Sequence, residues 1–263
     1  MRSTGTPLEA LSLHVRLAER DILHDVSFAV SPGDFVAVAG PNGAGKSTLL
    51  RALAGLTAPS AGSVELGGAD IRSLDRRKLG RSIAYLPQDR TVHWPLRSRA
   101  VVALGRIPHG SGPQRGESEE DRTRIETALM QMDACALADR PVAELSGGER
   151  ARVLMARALA QDAAILIADE PAAGLDPAHA LALFETLARI ASEGRAVIVA
   201  LHDLSLALRY CPRAILMKDG RVAASGPARD VMTEAQIASV YGIRACVAEI
   251  AGVPCVVPVS VRS

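Results

Sequence analysis

The sequence predicts an α/β protein: a mainly parallel core sheet wrapped by helices, with a small antiparallel β subdomain and an inserted helical subdomain. Three observations predict it. Short apolar, β-prone runs alternate with longer helical patterns over most of the chain, the rhythm of parallel strands joined by crossover helices. The N-terminal part, as far as Leu66, instead carries short alternating runs joined by Pro, Gly and Asp turns, which suits antiparallel pairing. A glycine-rich stretch, GPNGAGKST (Gly40–Thr48), lies between an apolar strand-like run and a helix-forming one, so it is placed to bind something and not to pack a core.

Taken in order, the antiparallel runs are Leu11–Val15, Asp25–Val30 and Gly62–Leu66. The core strands are Phe35–Ala39, Ser82–Leu86, Ile165–Ala168 and Val197–Leu201, and the helices between and after them are Lys46–Leu56, Glu119–Met132, Gly147–Ala160, Pro177–Ala191 and Leu204–Tyr210. Helical patterns dominate from about Arg90 to Pro141, broken by a Gly/Pro-rich loop over Pro108–Gly116. A helical stretch, Arg229–Tyr241, then precedes a strand-like tail, Cys255–Val259. The expected organisation is one domain over 8–245, with a helical subdomain over about 90–160 and a tail over 246–263.

Composition excludes several classes. The chain of 263 residues is 48% hydrophobic and 22% charged, as a globular protein with a real core should be. A net charge of +1 argues against bulk electrostatic binding to nucleic acid or anionic lipid. The local cluster Arg72, Arg76, Arg77, Lys78 and Arg81 reads as a solvated helix face. Cys135, Cys211, Cys246 and Cys255 have no CxxC spacing and read as reduced, semi-buried thiols. No apolar run approaches the roughly 18–20 residues that span a bilayer, and MRSTGTPLEA lacks the apolar core of a secretory signal. A cytosolic protein is expected, or one held on the cytosolic face of a membrane by a partner.

The motifs carry chemistry. Gly40, Gly45, Lys46 and Ser47 fit G-x-x-x-x-G-K-[ST], after the strand FVAVA and before the helix STLLRALAGL. In such a loop the peptides of Gly40, Pro41, Asn42, Gly43, Ala44 and Gly45, with those of Lys46, Ser47 and Thr48 at the helix start, form a nest for phosphate. Lys46 would reach the terminal phosphates, and the Ser47 hydroxyl would ligate Mg²⁺. The bland alternative is a glycine-rich turn with an incidental lysine. ILIADE, Ile165–Glu170, is an apolar strand ending in two acids. Asp169 is placed to hold Mg²⁺, and Glu170 to orient or deprotonate an attacking water; the alternative is a helix-capping pair before Pro171. LSGGE, Leu145–Glu149, opens a helical run. Ser146, Gly147 and Gly148 make a second anion site at that helix start, while Ser146 with Glu149 also reads as an ordinary capping box.

With all three motifs in one chain, the sequence resembles the ATP-binding subunits of ABC transporters, whose signature is LSGG[EQ]. The resemblance covers about Leu11 to Val259 and implies the P-loop NTPase, ABC ATPase fold, with ATP and Mg²⁺ as cofactors. It makes Gln88 in YLPQD the glutamine that touches Mg²⁺ and relays to the permease. It makes Gly174-Leu175-Asp176 the D-loop, and His202 in ALHDL the histidine at the γ-phosphate. It implies two copies meeting head to tail, each nucleotide held by the phosphate loop of one and the Ser146–Glu149 stretch of the other. The permease would be a separate chain in the inner membrane, with this subunit peripheral on its cytoplasmic face. VVALGRIPHG, Val101–Gly110, is similar to subunits of iron-siderophore, haem and cobalamin importers, which implies a periplasmic binding protein as an indirect partner and no nucleic acid. The stretch Gln88–Gly110 is the expected seat of the permease's cytosolic helix.

Three positions depart from the family pattern. No aromatic occurs between Met1 and Ser27, so Leu17 stands where an aromatic residue would stack on adenine, and weaker adenine affinity is expected. Ala151 and Ala172 replace a common glutamine and threonine, and both should be tolerated. The alternatives are an ABC ATPase of another importer or exporter class, a non-transport ABC ATPase of DNA repair or translation, and a degenerate binding module. Repair-type relatives place a long coiled coil between phosphate loop and signature, and the hundred residues from Lys46 to Ser146 leave no room for one. A degenerate binding module would lack some of Lys46, Asp169, Glu170 and His202, and all are present.

Overall fold

The computed structural model describes residues 7–89, 95–111 and 116–261. In chain order the elements begin with β1 (Leu8–Leu17), β2 (Arg20–Val30), β3 (Phe35–Ala39), α1 (Lys46–Leu53), β4 (Ala61–Leu66) and β5 (Ala69–Asp70). Then follow α2 (Arg76–Ser82), β6 (Ile83–Leu86), α3 (Ser98–Ala103), α4 (Glu119–Gln131), α5 (Gly147–Ala160), β7 (Ile165–Asp169) and α6 (Pro177–Ser192). The chain ends with β8 (Ala196–Leu201), α7 (Leu204–Tyr210), β9 (Arg213–Lys218), β10 (Arg221–Pro227), α8 (Ala228–Val231), α9 (Glu234–Tyr241), β11 (Ile243–Ile250) and β12 (Val253–Val261). These elements form two compact units, Met1–Ser73 with Leu187–Ser263, and Leu74–Thr186.

In the first unit, β3 runs parallel to both β8 and β9, and β10 closes that side antiparallel to β9. Every residue of β3 and β8 is buried, which is why FVAVA and AVIVAL read as continuous apolar runs: a parallel strand has helices or sheet on both faces. A separate antiparallel sheet, ordered β2-β1-β4-β5, carries the alternating N-terminal runs. In the second unit, β6 and β7 pair in parallel, and α2 to α5 supply the helices. Ser146 and Ser118 each start a helix with a complete capping box, Ser146 with Glu149 and Ser118 with Asp121. No helix among the described residues is long and apolar enough to cross a membrane.

The structure corrects several expectations. Helix α1 ends at Leu53, short of Leu56, because Gly55 turns left-handed at φ 70°. Arg229–Tyr241 is two helices: α8 stops at Val231, and Thr233 caps α9 by accepting from the Gln236 N–H at 3.3 Å. The tail is no lone strand, since β11 and β12 form a hairpin across Ala251 and Gly252, both at positive φ. The β9–β10 hairpin was not expected at all. Its two-residue turn is Asp219-Gly220, at φ 48° and 73°, the conformation that Asp-Gly favours. Cys135 and Cys246 are exposed, not semi-buried. Helix α2 buries none of its residues, so its arginines do form a solvated face. Part of the expected Pro108–Gly116 loop, residues 112–115, lies outside the described residues, as do 90–94 of the Gln88–Gly110 stretch and the first six residues.

Candidate nucleotide-binding site

The phosphate loop leaves the buried end of β3 and enters α1 through Gly45, whose φ of 96° makes it the helix N-cap without any side-chain cap. A Cβ there would stand 2.8 Å from Leu23 Cδ2 and 3.3 Å from the Ile22 carbonyl. Glycine is thus required twice, by backbone conformation and by close approach to β2. Gly45 supplies no side-chain cap, and the N-terminal end of α1 carries the positive end of the helix dipole, which favours an anion. Lys46 is buried, and its ammonium donates to the carbonyls of Gly40 at 2.7 Å and Pro41 at 3.1 Å. The loop therefore holds the cation at its own rim. Ser47 and Thr48 follow, half-buried on the first turn.

A residue the sequence did not flag braces this loop from behind. Gly220, in the β9–β10 turn, donates its N–H to the Ala44 carbonyl at 3.2 Å and accepts from the His24 N–H at 2.9 Å. A Cβ on Gly220 would meet the Ile22 carbonyl at 2.2 Å. The Asp-Gly hairpin signal could have found this turn, though not its contact. Tyr241 is half-buried next to the same loop. Burial pushes its phenol up to about 12, and the Gly40 peptide works against that shift.

Register places the remaining residues. Ala39 pairs with Leu201 across β3 and β8, so Gly40 and His202 leave neighbouring parallel strands at one level of the carboxyl edge. His202 is exposed there, and Asp203 after it caps α7 by accepting from the N–H groups of Ser205 and Leu206 at 2.8 and 3.0 Å. In the second unit Leu86 pairs with Ala168 across β6 and β7, so Gln88 and Glu170, each two residues past that pair, stand at one level of neighbouring strands. Carboxyl edges of parallel strands are where ligands sit in such sheets. Asp169 is fully buried, whereas Glu170 is only partly so and lies at φ 50°. A left-handed glutamate costs about 1–2 kcal/mol, the kind of strain that clusters at functional positions. Gln88 is exposed.

At the signature, the capping box anticipated as the bland alternative is formed. Ser146 Oγ accepts from the Glu149 N–H at 3.2 Å, and Glu149 Oε2 accepts from the Ser146 N–H at 2.8 Å. Arg140 donates to Glu149 Oε1 at 2.7 Å. These bonds, led by the Ser146 peptide, hold the Glu149 carboxyl below its ordinary range. Gly147 is left open, with nothing within 4 Å of where a Cβ would stand. Asp176 is exposed, and both its carboxylate oxygens are engaged by His179, through the backbone N–H at 3.0 Å and the ring Nδ1 at 2.6 Å. Leu17 stands on the β1–β2 turn opposite Arg20, 43% exposed.

Comparison with known proteins agrees with these parts. The ABC transporter family profile matches residues 23–173. The chain is 44% identical over 241 residues to the cobalamin import ATP-binding protein of Halobacterium salinarum, a match over 91% of this chain and 60% of the relative. This chain therefore spans less than two thirds of that relative's length. It is 42% identical to the hemin import ATP-binding protein of Pseudomonas entomophila, over 90% of this chain and 92% of the relative. Among solved structures, a dimeric, post-hydrolysis ATP-binding cassette bound to ADP and Pi superposes with a TM-score of 0.76 at 28% identity, over 84% of this chain and 99% of that one. Glycine loop, acidic strand end, LSGGE helix start and family profile agree: this chain belongs to the ABC transporter family, as its ATP-binding cassette.

Proposed function

We propose that this chain is the ATP-hydrolysing subunit of an importer, energising uptake of an iron chelate, haem or cobalamin through a separate membrane permease. It would work as a head-to-tail pair of identical subunits, peripheral on the cytoplasmic face of the inner membrane. The cargo would be delivered by a periplasmic binding protein. The observation that carries hydrolysis is Glu170, a left-handed carboxylate one residue past a fully buried aspartate at a strand end. The names of the cobalamin and hemin relatives support the cargo class.

In this reading the phosphate loop from Gly40 to Thr48 cradles the triphosphate, and Lys46 moves from the loop's own carbonyls to phosphate oxygens. Leu17 covers the base. Glu170 orients or deprotonates the attacking water. His202 reaches the terminal phosphate, Gln88 relays to the permease, and the partner's Ser146, Gly147, Gly148 and Glu149, together with the partner's Asp176, close over the nucleotide. The donor set suits Mg²⁺: one hydroxyl from Ser47, one amide oxygen from Gln88 and one carboxylate from Asp169. No group of three or more His, Cys, Asp or Glu suited to a metal occurs among the described residues, and Mg²⁺ takes most of its ligands from phosphate and water. When bound, the ion would neutralise charge on the phosphates.

Glu170→Gln is the deciding experiment. Turnover should fall by about 10²–10⁴-fold, while the protein still forms an ATP-dependent pair by size exclusion; unchanged turnover would remove Glu170 from its role. The permease contact has its own test. The second unit carries a groove of about 450 Å³ lined by Arg97, Arg99, Leu104 and Ile107 among others. Val101 is buried, so the reporter belongs at Ile107, which is 52% exposed. A cysteine there should crosslink to the permease's cytosolic loop.

A further inference from the structure

We propose that the LSGGE turn and the Gly174–Asp176 turn are preassembled into one contact block, and that His179 is the positioning residue that holds them together. The inference rests on the paired-subunit reading, in which this chain lends both turns to its partner's nucleotide.

Two independent contacts join the turns within the second unit. The first is backbone against backbone. A Cβ on Gly148 would stand 3.3 Å from the Gly174 carbonyl and 3.9 Å from Leu175 Cδ2, so the signature helix start lies directly on the other turn. The second is a chain of side chains. The His179 ring donates from Nδ1 to Asp176 Oδ2 at 2.6 Å, the direction an ionised carboxylate imposes, since it can only accept. Its other nitrogen, Nε2, faces Asp133 Oδ2 at 3.8 Å. Arg152, on α5, donates to the Asp133 carbonyl at 2.7 Å and to its Oδ2 at 2.8 Å. Asp176 is thereby held by His179, whose ring lies beside the Asp133 that Arg152 ties to the helix LSGGE begins.

Exposure indicates what this chain of contacts does. Asp133 is 88% and Asp176 57% exposed at the side chain. Polar contacts so open to water contribute little to folding, so the link does not serve global stability. It fixes the relative position of two turns, and prepaid positioning is where binding across an interface gains most. It also turns a carboxylate that would repel a triphosphate onto an imidazole.

The test uses the Glu170→Gln protein, in which hydrolysis does not consume the pair. Adding His179→Ala should raise the ATP concentration for half-maximal pairing by about tenfold, an ordinary coupling between two sites. Binding of a fluorescent ATP analogue to the single subunit and the thermal midpoint should stay as they were, since the phosphate loop is untouched. Amide exchange over 145–149 and 173–176 should quicken, and His179→Asn, which keeps a donor, should restore part of the pairing. An unchanged pairing midpoint with unchanged exchange overturns the proposal. So does a loss that comes with equal losses of analogue binding and thermal midpoint, which would mark a general folding defect. Failure of the Glu170→Gln protein itself to pair with ATP overturns the paired-subunit reading, and that outcome is distinct because it precedes any change at His179.

Discussion

The Gly40–Thr48 loop and the Val101–Gly110 stretch both stand out in the sequence, and the protein builds them by opposite means. The loop is made of backbone: its glycines bring peptides close to β2, and its cation rests on its own carbonyls. The 101–110 stretch is made of side chains turned inward. Arg106, 2% exposed, donates to Asp121 at 2.7 Å and to the Ala160 carbonyl at 3.0 Å. Asp121 also accepts from the Ser111 and Ser118 hydroxyls, and the His109 ring bonds to the Gln161 carbonyl at 2.9 Å. The loop keeps its polar atoms for a ligand. The stretch that resembles importers of iron chelates, haem and cobalamin uses Arg106 and His109 as a brace within the helical region.

The largest effect should come from breaking the brace. Arg106→Ala leaves Asp121 buried without its cation, and loss of one partner of a buried pair costs about 3–5 kcal/mol. Chemical denaturation of the purified protein would show it, and a loss below about 1 kcal/mol, the value of an exposed pair, would break the comparison. Next comes Gly45→Ala. It forces a left-handed alanine at about 1–2 kcal/mol and adds the 2.8 Å approach to Leu23. Its chief readout is ATP affinity, which should fall further than for Gly43→Ala, where φ is also positive but nothing lies within 4 Å.

A smaller effect sharpens the same contrast through pH. Burial would raise the Asp121 carboxyl, but Ser111, Arg106 and Ser118 more than offset it and hold the group far below the usual carboxylate range. A folded value below the unfolded one means stability that is complete above about pH 4, the unfolded aspartate value, and lost as pH falls toward the folded value. Acid unfolding followed from pH 5 to 2 should therefore slope more steeply for the wild type than for Asp121→Asn.

This division also explains what the sequence revealed. β3, β7 and β8 were legible because burial on both faces writes itself as an unbroken apolar run, and α5 because Ser146 and Glu149 state its start locally. The phosphate loop is legible for the same reason: its chemistry lies within a few consecutive residues. The partners of Arg106 and His109 were not, because Asp121 and Gln161 are distant in sequence and follow no local period. Nor was Gly220, whose tie to Ala44 exists only once β9 lies beside β3. The β9–β10 turn is signalled locally by Asp-Gly, but the flanking residues of MKDGRV lack the clean alternation that marks a hairpin.

The smallest expected effect concerns the base, where the loop's backbone strategy has no aromatic to help it. Leu17 is 43% exposed at the tip of the first hairpin, so Leu17→Tyr should leave stability within about 0.5 kcal/mol. If Leu17 covers adenine, the new ring gains a stacking partner worth about 1–3 kcal/mol. ATP should then bind at least about fivefold tighter while inorganic triphosphate binds as before. The ratio of the two affinities isolates the base from the phosphates, which is why it is the quantity to measure. A ratio that Leu17→Tyr leaves unchanged places the base elsewhere on the subunit, out of reach of the β1–β2 turn.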